Sequence, residues 1–168
     1  SNWINAGTYV LEPEVLHLID EEGPVSIERV TFPVLAADDR LYGFESATYW
    51  LDAGTPATYL QAQLDLVDGH RVETPAAVAA DAVVAEGAEV EHSVLMAGAS
   101  VADGARVIDS AILPGARIEA GATVRHSVVG PHAVVGAGAV VEAGTVLGDG
   151  AEVAPGEVLS DARRPEPV

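Results

Sequence analysis

The sequence predicts a mainly β fold, a three-faced parallel coil of about five turns preceded by a small α/β segment, and three observations carry that prediction. Aliphatic residues recur from Val78 to Leu159 at steps that are mostly six residues long. A small side chain stands two positions before fourteen of the fifteen recurring residues, Glu157 being the exception. All eight aromatic residues, from Trp3 to Tyr59, precede position 60, so two architectures are joined in one chain. The seam lies near Asp68-Gly69-His70, where Gly69 can end a helix in the left-handed conformation and Pro75 blocks its continuation. Residues 1–70 and 71–168 are therefore read as separate domains.

A period of six fits neither an amphipathic helix nor an alternating strand; it fits a prism in which each flat face takes one hexad per coil. The recurring residues, Val78, Val84, Val90, Leu95, Val101, Val107, Ile112, Ile118, Val124, Val129, Val135, Val141, Leu147, Val153 and Leu159, fill the inside. The small residues lie where faces converge and a larger side chain would overpack. Glycine usually follows the aliphatic residue by three, as in Gly104 and Gly121, where a tight corner calls for positive φ. Three steps, Val90 to Leu95, Val107 to Ile112 and Val124 to Val129, are five residues long, so one edge is shortened in successive coils. Fifteen inward positions over three faces give five coils, a prism of about 24 Å at ordinary strand spacing.

In the aromatic segment, residues 3–11 read as a strand leading to a helix begun by Pro13, with Val15, Leu16 and Ile19 on one face. A second helix is expected after Ser26, capped by its hydroxyl. Strand patterns return at 41–45 and 48–51. Thr55 then reads as an N-cap and Pro56 as the first residue of a helix whose apolar face is Tyr59, Leu60, Leu64 and Val67. Trp3 and Trp50 are expected in a core, with stacking on a ligand as the alternative.

The aliphatic, glycine and small-residue positions of the second half resemble the hexapeptide-repeat left-handed parallel β-helix, and the hand comes from that resemblance alone. Asn5-Ala6-Gly7-Thr8-Tyr9-Val10-Leu11, Ser26-Ile27-Glu28-Arg29 with Phe32-Pro33-Val34-Leu35, and Tyr49-Trp50-Leu51-Asp52-Ala53-Gly54-Thr55-Pro56 resemble the sugar-nucleotide pyrophosphorylases, nearest to mannose-1-phosphate guanylyltransferases. The resemblance implies the last section of an α/β nucleotidyltransferase domain followed by the β-helix, in an enzyme that makes an NDP-sugar, GDP-mannose first, from a nucleoside triphosphate and a sugar 1-phosphate. The family's glycine-rich triphosphate loop and its Glu-Lys pair have no counterpart here. The chain is thus expected to be part of a larger enzyme and to be inactive alone, with no catalytic residue of its own. By resemblance Asp52 is a ligand of Mg²⁺, while Asn5 and Gly7 contact the sugar. The bland alternatives are that Asp52 orders the Gly54-Thr55 turn and that Asn5 is a turn residue.

Rival functions are a stand-alone oligomerisation module and a hexapeptide-repeat acyltransferase or zinc site. The histidines raise the latter, because His92, Asp109 and His126 share one corner in successive seventeen-residue coils and His132 follows by six. Against acyl transfer, the repeat carries no protruding loop; a solvated polar column is the simpler reading. A formal charge of -18 argues against nucleic acid and anionic membrane surfaces as partners. The absence of cysteine suits a reducing cytoplasm. The broad faces of the prism lead to the expectation of a homo-oligomer.

Overall fold

The computed structural model describes residues 3–20, 22–70 and 77–165. Its contacts cluster into two compact units, Ser1–Trp50 and Leu51–Val168, the second of which includes the last helix.

The second unit is a parallel β-solenoid of about five turns. One face holds β1 (Val83–Val84), β4 (Ser100–Val101), β7 (Arg117–Ile118), β10 (Val134–Val135) and β13 (Glu152–Val153). The next holds β2 (Glu89–Glu91), β5 (Arg106–Ile108), β8 (Thr123–Arg125), β11 (Val140–Glu142) and β14 (Val158–Ser160). The third holds β3 (Val94–Leu95), β6 (Ala111–Ile112), β9 (Val128–Val129), β12 (Val146–Leu147) and β15 (Arg163–Arg164). The register sets each inward residue over its counterpart: Leu95 pairs with Ile112, Ile112 with Val129 and Val129 with Leu147. Inward side chains from Leu95 to Leu147 are at most 2% exposed, whereas Val78 and Val84 in the first coil are each 40% exposed because no coil lies beneath them among the described residues. Ala76 and Pro75 lie outside the described residues.

The corners explain which small residue stands where. At six-residue corners the small residue's amide closes a turn on the carbonyl three residues back, as in Ala116 N–H to Leu113 O (3.2 Å) and Ala122 N–H to Glu119 O (3.1 Å). A five-residue corner has lost the residue that makes this turn. There the Ser110 amide donates instead to Ser93 Oγ in the coil below (3.0 Å), the Ser127 amide to Ser110 Oγ (3.2 Å) and the Ala162 amide to Thr145 Oγ1 (3.2 Å). Each of these hydroxyls donates onward to a carbonyl of its own coil at 2.7 Å, Glu91, Ile108 and Glu142 respectively. A buried amide must find an acceptor, and a serine or threonine supplies it where alanine cannot. Glu157, the exception in the small-residue column, is half-buried, and its carboxylate accepts from the Ala154 amide (2.8 Å) and from Arg164 (2.6 Å).

The third face carries apolar residues outward as well as inward, and helix α2 (Pro56–Val67) covers it. Leu60 and Leu64 are buried against Ala111 and Val128, with Tyr59, Leu113 and Val146 around them. Burying two leucines contributes about 1.5–3 kcal/mol each. Thr55 caps the helix as expected, accepting from the Thr58 amide (3.2 Å). Gly69, at φ +77°, ends it: its amide reaches Leu66 O and that of His70 reaches Asp65 O, a Schellman arrangement.

The first unit departs from several expectations. Pro13 opens a single 3₁₀ stretch, Pro13–Leu18, in which Val15 is buried but Leu16 is 66% exposed. Ser26 does precede helical structure, a π turn (Ile27–Thr31) running into α1 (Phe32–Ala37), but its hydroxyl makes no cap; Ser26 O accepts from the Arg29 and Val30 amides. Segments 3–11, 41–45 and 48–51 form no strands, because no neighbouring strand lies beside them among the described residues to take up their backbone groups. Trp3 and Trp50, expected in a core, are 58% and 46% exposed. Among the described residues the core here is Val15, Phe32 and Leu35 with Tyr9 and Ile27 packed on it, too small to cover two indoles.

Candidate functional site

Asn5 and Gly7 are brought together directly. The Gly7 amide donates to Asn5 Oδ1 at 2.9 Å, and Gly7 takes φ +70° with no atom within 4 Å of where a Cβ would stand, which leaves that side of the loop open to a close approach. Asn5 Nδ2 donates to Tyr9 Oη (2.7 Å) and to Glu28 Oε1 (3.0 Å), and the Tyr9 hydroxyl in turn donates to the Glu28 carboxylate. That carboxylate, and then partial burial, raise the Tyr9 pKa above its ordinary value. Tyr9 is oriented by Phe32, whose ring it meets edge-on at 4.8 Å and 82°. The sequence reading singled out neither Tyr9 nor Glu28 as site residues. Their signal was present in the stretches around Asn5 and Ile27, but nothing in the spacing shows that residues 23 apart meet.

Asp52 stands in the other unit, at the entrance to α2. Its Oδ1 accepts from the Gly54 amide at 3.0 Å, and a Cβ on Gly54 would come to 3.1 Å from that oxygen. The turn-ordering geometry is therefore present, and it holds an exposed carboxylate at the mouth of the Thr55 cap. An anionic oxygen donor is the right chemistry for a hard cation such as Mg²⁺.

His92, Asp109 and His126 do share a corner, all in the left-handed region at φ 41°, 48° and 46°, a conformation that short polar side chains tolerate. His132 belongs to a different column, with Gly98, Gly115 and Gly150, and its Nδ1 lies 3.1 Å from Asp149 Oδ1. His92 faces two carboxylates, Asp109 Oδ1 at 2.6 Å from Nδ1 and Asp68 Oδ1 at 3.0 Å from Nε2. Among the described residues no three imidazoles converge. The column is more than solvated polar side chains, since it ties α2 to the solenoid. No helix among the described residues is long and apolar enough to cross a membrane.

Residues 72–163 match the family described as GMPPB C-terminal domain. The chain belongs to that family. Residues 1–69 match the nucleotidyl transferase family, so the two matches follow one another along nearly the whole sequence. A mannose-1-phosphate guanylyltransferase of Mycobacterium tuberculosis is 38% identical over 106 residues, covering 56% of this chain and 27% of the relative. A mannose-1-phosphate guanyltransferase of Kluyveromyces lactis is 42% identical over 78 residues (46% of this chain, 21% of the relative). One from Saccharomyces cerevisiae is 48% identical over 59 residues (35% and 16%). The matches thus span 16% to 27% of the length of these curated relatives.

Proposed function

We propose that this chain is the C-terminal part of a nucleotidyltransferase that makes GDP-mannose from GTP and mannose 1-phosphate with release of pyrophosphate. The observation that carries the reading is the tandem order of the two family matches, 1–69 and 72–163, together with relatives named for that activity. The exposure of Val10 (99%), Phe44 (96%) and Tyr42 (86%) supports it, since a first unit that leaves large apolar side chains uncovered is suited to packing within a larger catalytic domain. In this reaction the nucleophile is an oxygen of the sugar phosphate, so the protein's task is positioning and charge stabilisation. Asn5 would hydrogen-bond a sugar hydroxyl and the open face of Gly7 would admit the ring. Asp52 would hold Mg²⁺, and the bound ion would neutralise phosphate charge. A cytoplasmic enzyme fits this reading, since its substrates are nucleotides and sugar phosphates and these 168 residues hold no cysteine.

Asp52→Asn in the intact enzyme tests the metal role. It keeps the size and the turn's acceptor oxygen but removes the anionic charge, so turnover should fall about a hundredfold, or about 3 kcal/mol, with the melting temperature little changed. A lower melting temperature with unchanged synthesis across a Mg²⁺ titration would assign Asp52 to the turn alone. The 168-residue chain itself should make no nucleotide sugar; turnover above a no-protein control would overturn its reading as part of a larger catalytic unit.

The uninterrupted solenoid favours a second role for the same chain, as the module that holds copies of the enzyme together. Light scattering should then show a homodimer or homotrimer at high micromolar concentration, and monomer alone would refute it.

A further inference from the structure

We propose that His92 is a protonation-dependent latch that fastens the C-terminal end of α2 to the corner of the solenoid. The inference concerns Leu51–Val168 alone and stands whether or not the enzymatic reading holds.

The geometry requires two donors on one ring. His92 Nδ1 lies 2.6 Å from Asp109 Oδ1 and Nε2 lies 3.0 Å from Asp68 Oδ1. An ionised carboxylate only accepts hydrogen bonds, and a neutral imidazole has only one N–H to give, so both contacts hold together when the ring is an imidazolium. His92 and Asp109 occupy the same five-residue corner in successive coils, both at positive φ, so the stacking of the coils sets the two side chains beside one another.

The helix end supplies the reason for a cation at this point. Asp68 is the C-cap of α2 and Asp65 lies in its last turn, so two carboxylates stand at the end where the helix dipole is negative. Facing His92 from α2 are Asp68, with Asp65 and His70 beside it, their polar atoms within 4.8 Å of one another. Asp109 faces it from the coil above, with His126 one coil further, and Glu91 precedes it on its own strand. Carboxylates dominate these surroundings, and hydrogen bonding by Asp109 is the first cause that raises the His92 pKa above its ordinary 6.5, against a smaller opposing effect of burial.

The sign follows. A histidine whose folded pKa is raised contributes its full stabilisation below the unfolded value and loses it as the pH rises through the folded one. The latch is closed below the unfolded value and opens as the pH rises through the raised folded one. Leu60 and Leu64 stay buried throughout, so opening loosens the last turn of α2 rather than releasing the helix.

Ring NMR titration of His92 in the 168-residue chain, combined with hydrogen exchange, tests this. The exchange readout is the protection of the Asp68 and Gly69 amides relative to β6, corrected for intrinsic rates, with β6 reporting that the solenoid is intact. His92 should titrate above 6.5, and the relative protection should fall through the same midpoint. Asp68→Asn should lower that midpoint, and His92→Gln should abolish the pH dependence while β6 protection persists. His70→Gln should leave the response in place. A midpoint unmoved by Asp68→Asn, a wild-type protection ratio flat with pH, or a response that disappears with His70 instead of His92 would each overturn the latch.

Discussion

Replacing Ser110 by alanine removes one oxygen that serves two coils. Ser110 is fully buried, its Oγ accepts from the Ser127 amide at 3.2 Å, and it donates to Ile108 O at 2.7 Å. The variant leaves a buried N–H without an acceptor, which costs about 1–3 kcal/mol, and weakens the satisfaction of a carbonyl by about 1 kcal/mol more. A loss of about 2–4 kcal/mol is expected, whereas Ala116→Ser at a six-residue corner should gain nothing, because the Ala133 amide above it already reaches Gly130 O (3.2 Å). Urea unfolding followed by circular dichroism gives the midpoints. Solenoids can lose coils separately, so hydrogen exchange of the Ser127 amide is the sharper measure. If Ser110→Ala melts with the wild type and the Ser127 amide stays equally protected, the hydroxyl is not what replaces the missing turn.

Ala122→Leu should cost about 1–3 kcal/mol by overpacking a fully buried corner, while Glu119→Gln, half-buried on the outer face, should be nearly neutral; equal denaturant midpoints would contradict the assigned phase. Gly136→Ala should be strongly destabilising, because its Cβ would come to 2.7 Å from backbone atoms of Val153 and Pro155 that cannot yield; a melting temperature within a degree or so of wild type would refute this. The Glu157 carboxyl is held down to about 2, first by the Arg164 guanidinium and then by the Ala154 amide. Its contribution is present above pH 4.5 and lost as the pH falls toward 2, so the stability difference between wild type and Glu157→Gln should shrink over that range and be constant above it.

The solenoid was legible because its inward set is a one-dimensional pattern. Each aliphatic residue from Leu95 to Leu147 answers the same local demand, and each coil stacks only on its neighbours. What the pattern treated as equivalent, alanine and serine in the small-residue column, differs by where a buried amide finds its acceptor, and that depends on a residue seventeen positions away. Residues 3–51 were harder to read. Strand propensity at 41–45 is real, but a strand exists only beside another, and none lies beside it among the described residues. The site residues divide likewise. The Thr55 cap and the Asp52 turn are set by contacts within a few positions and could be anticipated, whereas the meeting of Asn5 and Tyr9 with Glu28, and of His92 with Asp68, depends on how distant segments fold together.

The hydroxyl corners also bear on how such a chain can change length. In most repeat architectures a one-residue deletion shifts every later side chain out of phase, turning the inside out. Here a coil can be seventeen residues long as well as eighteen, provided the coil beneath offers Ser or Thr at the matching place, as Thr145 does for Ala162. The coils from Leu95 to Ile112 and from Ile112 to Val129 are seventeen residues long and that from Val129 to Leu147 is eighteen, so a single-residue difference is absorbed at this one edge while the apolar interior stays in phase.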